Sequence, residues 1–287
     1  MSIIRNLIFT FFVGVFCTAN VYAQDFSNKG KEFWVVFPPH QPSAPANLAD
    51  LSLYISSDKN TSGHIVINGD SISFNIIAFT PQEFILPRNT TYVSGLESAT
   101  DDPTLIQKTV LNKGIKVIVT EGKPGVVVYA HMYASARSAA SIILPTSVLE
   151  KKYQVISYTQ SQPTNTLANE FRRSQFSVVA VEDNTVIRIQ LRKSGQISGS
   201  PYDVELPKAG TIYSFQDPID LTGTSIESVS IDGSVCKKIA VFSGSSSLYI
   251  GNTGSVDPLF QQCYPKNSWG SNYFITPLKG KNKFIIR

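Results

Sequence analysis

The sequence predicts an all-β protein built from tandem β-sandwich-like modules. Three observations predict this fold: apolar residues alternate with polar ones, turn residues recur about every 8 to 12 positions, and the chain resembles itself at a spacing of 120 residues. A β-propeller with two blades per 120-residue repeat is the alternative, because each repeat has room for about eight short strands.

The first 23 residues have the pattern of a secretory signal peptide. Arg5 precedes the apolar run "LIFTFFVGVF", and small residues end at Ala23, where a signal peptidase would cleave. Lipidation of Cys17 is disfavoured because Phe16 is too large for the residue before a lipidated cysteine. The sequence therefore predicts a secreted or cell-surface protein, with residues 1–23 removed.

Three aromatic-rich stretches recur along the chain at a constant spacing. "GKEFWVVF", "EKKYQVIS" and "GSNYFITP" place Phe33, Tyr153 and Tyr273 at intervals of 120 residues. Two further markers share this period: the dipeptides that begin at Leu86 and Leu206, and the prolines Pro145 and Pro265.

These markers divide the mature chain into modules. The predicted boundaries are 24–149 for the first copy, 150–268 for the second, and 269–287 for the start of a truncated third copy. The alternative is that residues 269–287 pack on the second copy as a closing pair of strands.

Within each copy the period of the apolar residues is two, as in a strand with one buried face. "GIKVIVTEG" at 114–122 and "TVIRIQL" at 185–191 show the pattern most clearly. Turn residues separate such strands, for example "EDN" at 182–184. Two short helices are also predicted, one in "TLIQKTVLNKG" at 104–114 and one that begins at Asp257-Pro258.

Several stretches together resemble the IgGFc-binding protein N-terminal domain family. They are "KGKEFWVVF" near the mature N-terminus, "VVAVEDNTVIRI" at 178–189, "LPKAG" at 206–210, "IAVFSGSSS" at 239–247 and "DPLFQQCYPKNSWGSNYFITP" at 257–277. The resemblance covers nearly all of the mature chain. It implies a surface or secreted adhesion protein, of the kind found in Bacteroidetes-type bacteria. No family motif identifies a ligand-contacting residue, so antibody binding is not inferred for this chain.

No arrangement of residues indicates a catalytic, cofactor or transition-metal site. His40, His64 and His131 lack a second histidine or cysteine at ligand spacing. The serines of "SGSSS" at 243–247 have no nearby general base. Calcium is the one ion weighed, because paired acids occur at Asp101-Asp102 and in "QDPID" at 216–220, but two acids are an incomplete ligand set.

The composition argues against nucleic acid as a partner and against a membrane span, and it leaves open whether two cysteines form a disulfide. The net charge of +4 is too small to indicate binding to nucleic acid, and no later segment is apolar over the length that spans a membrane. Cys236 and Cys263 remain after signal removal, and in an exported protein they either form a disulfide or are two unrelated buried thiols.

The sequence thus predicts a non-catalytic binding protein. Its ligand would be an extracellular protein or glycan, recognised through loops on the β scaffold, with Tyr202 as an example of a loop tyrosine. The alternatives are a structural spacer that carries a distal adhesin, and an accessory domain of a carbohydrate-active enzyme.

Overall fold

The computed structural model describes residues 28–40, 49–93, 109–134, 137–158, 173–230, 233, 235–248 and 257–274. The predicted signal peptide, the acids Asp101-Asp102 and most of the predicted third copy lie outside these residues. Within them the protein is all-β, as the sequence predicts, and no helix is long and apolar enough to span a membrane.

The described residues of the first half contain nine strands and one short helix, α1 (Arg88–Thr91). The strands are β1 (Glu32–Val35), β2 (Asp50–Ser56), β3 (Thr61–Ile67), β4 (Asp70–Ile76), β5 (Gln82–Ile85), β6 (Thr109–Asn112), β7 (Ile115–Val119), β8 (Val127–Ala134) and β9 (Arg137–Ile143). A 3₁₀ helix over Thr146–Val148 follows β9.

The part of the second half that the structure describes contributes ten strands. They are β10 (Lys152–Gln154), β11 (Ser174–Ala180), β12 (Thr185–Gln190), β13 (Arg192–Lys193), β14 (Gln196–Ile197), β15 (Tyr202–Leu206), β16 (Thr211–Asp217), β17 (Ser225–Val229), β18 (Ile239–Leu248) and β19 (Asp257–Gln262). A second 3₁₀ helix, Lys266–Ser268, follows β19.

The described residues of each half form two larger sheets, and the second half also contains the two-stranded sheet β13-β14. In the first half the orders are β1-β7-β3-β4 and β5-β2-β8-β9; the inward residues of both sheets enter one apolar cluster. The two sheets thus share one core, as neighbouring sheets do in both predicted architectures. The four larger sheets also equal the number that the propeller alternative requires.

The second half repeats the strand order of the first. Its sheets run β10-β17-β12-β15 and β19-β18-β11-β16, with β6 of the first half added beside β16. Phe33 and Tyr153 lie in corresponding strands, β1 and β10, and each pairs with the corresponding neighbour, β7 or β17. Pro145 and Pro265 also correspond, because each directly precedes the 3₁₀ helix of its half.

One marker of the repeat is wrong. Leu86 follows β5, whereas Leu206 ends β15, and in the common strand order β15 corresponds to β4 rather than to β5. The shared Leu-Pro spacing is therefore a coincidence, produced by loops of different length in the two halves.

Both predicted helices are also wrong where the structure describes them. Residues 109–112 form β6, which pairs with β16, and Asp257 begins β19, which pairs with β18. Pro258 is tolerated because β19 is an edge strand of its sheet, where a missing N–H costs no ladder hydrogen bond.

The two halves pack through the β16-β11-β18-β19 sheet. Every residue of β11, β16 and β18 is buried. One face of this sheet contributes to the core of the second half, and the other face contributes Val179, Ile212, Ala240 and Phe242 to the core cluster of the first half. The sheet is therefore buried on both sides.

Candidate functional site

The most distinctive exposed surface is the outward side of the β5-β2-β8-β9 sheet. Along β8, Val128, Ala130 and Met132 are buried, so the alternate residues Tyr129, His131 and Tyr133 project from the opposite side. Tyr54 of β2 lies directly opposite Tyr129 in the antiparallel register. We call Tyr54, Tyr129, His131 and Tyr133 the aromatic face.

The His131 ring lies near two other rings of this face. The His131 ring lies 6.0 Å from the Tyr54 ring and 6.0 Å from the Tyr133 ring, and it stacks on the latter at 30°. His131 Nε2 is 2.9 Å from Ser138 Oγ on β9. Tyr129 and Tyr133 remain 44% and 50% exposed. Large rings on rigid strands offer contact area at a small cost in conformational entropy.

A carboxylate is held beside the rings. Ser52 Oγ donates a hydrogen bond to Glu83 Oε1 at 2.8 Å, and the Tyr54 hydroxyl also hydrogen-bonds Glu83. These two donors lower the pKa of Glu83, whereas the same contact raises the pKa of Tyr54. Glu83 is therefore ionised at neutral pH, and it is exposed, so its remaining lone pairs face solvent.

A shallow cavity of about 450 Å³ lies over the aromatic face. It is lined by Tyr54, Ser56, Pro81, Tyr129, His131 and Ala140. Small residues on the neighbouring strands, Ser56 and Ala140, leave the space between the rings open. The result is a shallow groove with aromatic walls.

The corresponding side of the sheet in the second half is covered. By strand order and register, Tyr54 and Tyr129 correspond to Val179 and Ala240, which are buried in the cluster shared with the first half. Gln175, also on that side, donates to the Pro39 carbonyl at 2.9 Å. A side of the sheet that forms an interface in the second half is thus open and aromatic in the first.

The structure changes the interpretation of Tyr202. It begins β15 rather than lying in a loop, it is partly buried against the second core cluster, and its hydroxyl lies 3.0 Å from that of Tyr213. The glycine and proline before it mark the entry to a strand. The sequence also missed the aromatic face, although the alternation of Tyr129, His131 and Tyr133 was a usable signal.

The two cysteines are free thiols in this structure, and the disulfide is not formed. Cys263 is buried with Sγ 3.1 Å from Ser243 Oγ, and burial raises its pKa to about 11. Such a thiol is protonated at neutral pH and a poor nucleophile. Cys236 is partly exposed.

The acidic residues singled out in the second half serve local turns. Asp217 accepts from the Ile219 N–H at 2.8 Å and pairs with Lys193 Nζ at 2.5 Å, while Asp220 accepts from the Thr222 N–H at 2.9 Å. Within the part of the chain that the structure describes, no three His, Cys, Asp or Glu side chains converge as metal ligands. Asp101 and Asp102 lie outside it.

The "EDNT" segment forms the turn between β11 and β12. Asn184 has a φ of 53°, in the left-handed region, and its N–H donates to Pro207 O at 2.9 Å. Asp183 accepts from the Ala209 N–H at 2.9 Å and pairs with Lys208. These contacts tie the turn to the β15–β16 loop, so its polar groups are used within the fold.

A second cavity of about 420 Å³ opens beside this turn, lined in part by Glu205, Val235 and Lys237. Lys237 Nζ donates to the Asp183 carbonyl. None of the residues that line the cavity is aromatic. The ammonium group of Lys237 is already hydrogen-bonded to the turn.

The family model for IgGFc binding protein matches residues 139–287. The match begins in β9 and includes the whole second half, with the "EDNT" turn and the region around Trp269. The chain belongs to the IgGFc-binding protein family. No curated protein and no solved structure matches it.

The extent of this match bears on the aromatic face. The resemblance seen in the sequence also includes residues 29–37, whereas the IgGFc-binding family model begins at residue 139. The four rings and Glu83 all precede that residue. The match to the IgGFc-binding family therefore assigns no role to them.

Proposed function

We propose that this protein is a non-catalytic binding protein, secreted or displayed on a bacterial surface, that recognises an extracellular protein or glycan. The observation that carries the proposal is the open aromatic face, with its groove and its held carboxylate. The family description, a binding protein, supports the same class of function. The surface proposed for recognition is a sheet face and not a set of loops.

The proposal includes the tandem organisation predicted from the sequence, with modules at 24–149 and 150–268. The common strand order of the two halves supports it. Recognition would then be assigned to the first module, because the corresponding side of the second module is occupied by contacts between the halves.

Arrays of extracellular proteins and glycans test the proposal. The full chain is compared with a double variant, Tyr129→Ala with Tyr133→Ala, and with Tyr273→Ala as control, because Tyr273 is an exposed tyrosine (70%) outside the aromatic face. We expect the wild type and the control to bind the same ligand and the double variant to lose it. Retention of all binding by the double variant would refute the aromatic face as the site.

The spacer alternative predicts a different result. A protein that only separates a distal adhesin from the cell surface would bind nothing on either array, and the double variant would have no phenotype. The accessory-domain alternative predicts binding confined to polysaccharides.

A further inference from the structure

The charges on the aromatic side of the sheet have a single sign. Its outward-facing residues follow from the register: Asp50, Ser52, Tyr54, Ser56, Glu83, Ile85, Val127, Tyr129, His131, Tyr133, Ser138, Ala140 and Ile142. Two of these residues are carboxylates and none is Lys or Arg. A ligand that covers this surface meets negative potential from the two carboxylates.

Glu83 is arranged to accept further hydrogen bonds. Ser52 and Tyr54 hold it in place from β2, so no side-chain freedom is lost when a ligand donor arrives. A neutral donor would gain a single hydrogen bond here. A guanidinium or ammonium group gains a charge-assisted hydrogen bond, which is about twice as strong.

The spacing of the rings matches an extended polypeptide. Tyr129, His131 and Tyr133 are alternate residues of one strand, so their attachment points are about 6.7 Å apart. Alternate side chains of an extended peptide have the same spacing. Cationic side chains at every second position can therefore each lie over a ring, where a cation–π contact stabilises them.

The position on the sheet is already an interface elsewhere in the molecule. In the second half, the Pro39 carbonyl and the first-half core cluster cover the corresponding residues. The centre of that interface is apolar and uncharged, with Val179, Ala240 and Phe242. In the first half, tyrosines and a carboxylate stand in the place of these residues. A surface of this kind fits a cationic partner rather than a neutral one.

We infer that the aromatic face binds an extended polypeptide segment that carries arginine or lysine at alternate positions, with the cation nearest Tyr54 paired to Glu83. This inference rests on the proposed function and specifies its ligand. A neutral glycan would stack on the same rings but would gain nothing from the single sign of the charges.

A peptide pair tests the inference. The probes are acetyl-Gly-Arg-Gly-Arg-Gly-Arg-Gly-amide and the same peptide with citrulline, the neutral isostere, at the three arginine positions. We expect the arginine peptide to bind the full chain at least about tenfold more tightly, as charge-assisted hydrogen bonds and cation–π contacts are lost with citrulline. The affinity should fall between about 0.1 M and 1 M salt, because the Debye length shrinks from about 10 Å to about 3 Å.

Matched variants locate the contact. Glu83→Gln should weaken binding of the arginine peptide about tenfold and leave binding of the citrulline peptide unchanged. Glu205→Gln, at an exposed strand position of the other half, should change the affinity for neither peptide. Tyr129→Ala should weaken binding of the arginine peptide several-fold, with Tyr273→Ala as control. Thermal unfolding of each variant shows whether it is folded.

The outcomes separate the inference from the proposed function. The inference of a cationic ligand is wrong if both peptides bind with equal affinity. It is also wrong if Glu83→Gln leaves the affinity for the arginine peptide unchanged. If a neutral glycan then binds and is lost in Tyr129→Ala, the aromatic face is still the binding site and only its ligand class is wrong. If no probe on any array depends on Tyr129 or Tyr133, the proposed function fails as well.

Discussion

His40 is a titratable residue placed where it cannot easily charge. Its ring is buried and meets the Tyr92 ring edge-on at 5.0 Å, and its backbone N–H donates to Tyr92 Oη at 2.9 Å. Burial first, and then the charges of Arg88 and Arg137, lower the pKa of His40 from 6.5 to about 3. The folded protein therefore holds this ring neutral over most of the acid range.

This pKa predicts an acid-dependent loss of stability. Below about pH 6.5 the unfolded chain binds a proton at His40 and the folded chain does not, so folding becomes less favourable as the pH falls towards about 3. The slope is at most about 1.4 kcal/mol per pH unit. Urea unfolding between pH 7 and 4 should show a smaller pH dependence for His40→Phe than for the wild type.

The control for that comparison is His64→Phe, because His64 is exposed on β3. This variant should retain the wild-type pH dependence. Equal slopes for the wild type and His40→Phe would mean that His40 does not contribute to acid sensitivity.

At the scale of elements, the alternation of apolar residues predicted strands correctly where one side faces solvent. β7 and β12 have this pattern, and their apolar residues lie in the two cores. The pattern was ambiguous at β6 and β19, short edge strands with few residues to show a period. Pairing with β16 and β18 decided their conformation, and the partner of β6, at residues 211–214, lies far outside any local window.

Two glycines join elements of the two halves. The Gly114 N–H, before β7, donates to Gly210 O, before β16, at 2.9 Å. A Cβ on Gly114 would lie 2.5 Å from that oxygen and 2.7 Å from Gly210 Cα. Both atoms belong to the backbone, so the contact cannot be relieved by a side-chain rotation.

We expect Gly114→Ala to lower the free energy of unfolding by about 3 kcal/mol, the upper end for an overpacked site. Gly122→Ala is the matched control: φ at Gly122 is +74°, but nothing lies within 4 Å of the added Cβ. It should cost only about 1 kcal/mol of backbone strain. Chemical denaturation measures both, and an equal cost would show that the two loops separate readily.

At the scale of the whole molecule, buried polar contacts link the halves. Gln262 of β19 is fully buried, and its Oε1 accepts from the Leu144 N–H, after β9, at 2.7 Å. The backbone N–H of Gln262 donates to Ser141 Oγ at 2.9 Å. Because these contacts and a shared apolar cluster cross between the halves, we expect the two to unfold together.

Calorimetry should therefore show one transition, with equal calorimetric and van't Hoff enthalpies. Gln262→Leu leaves the buried Leu144 N–H without its acceptor and should cost about 1–3 kcal/mol. Gln196→Leu, at an exposed position of β14, should be nearly neutral. Two resolved transitions in the wild type would show that the halves are energetically independent.

The sequence by itself determined the all-β class and the family. The all-β class depends on which residues alternate and the family on short motifs such as "EDNT", and both signals are local along the chain. The tertiary structure decided that the Leu-Pro spacing is a coincidence, that Tyr202 begins a strand, and which side of each half is open. Covering one side of a sheet depends on residues more than a hundred positions away, such as Pro39 against Gln175. For that reason only the tertiary structure shows which side of each sheet stays open to solvent.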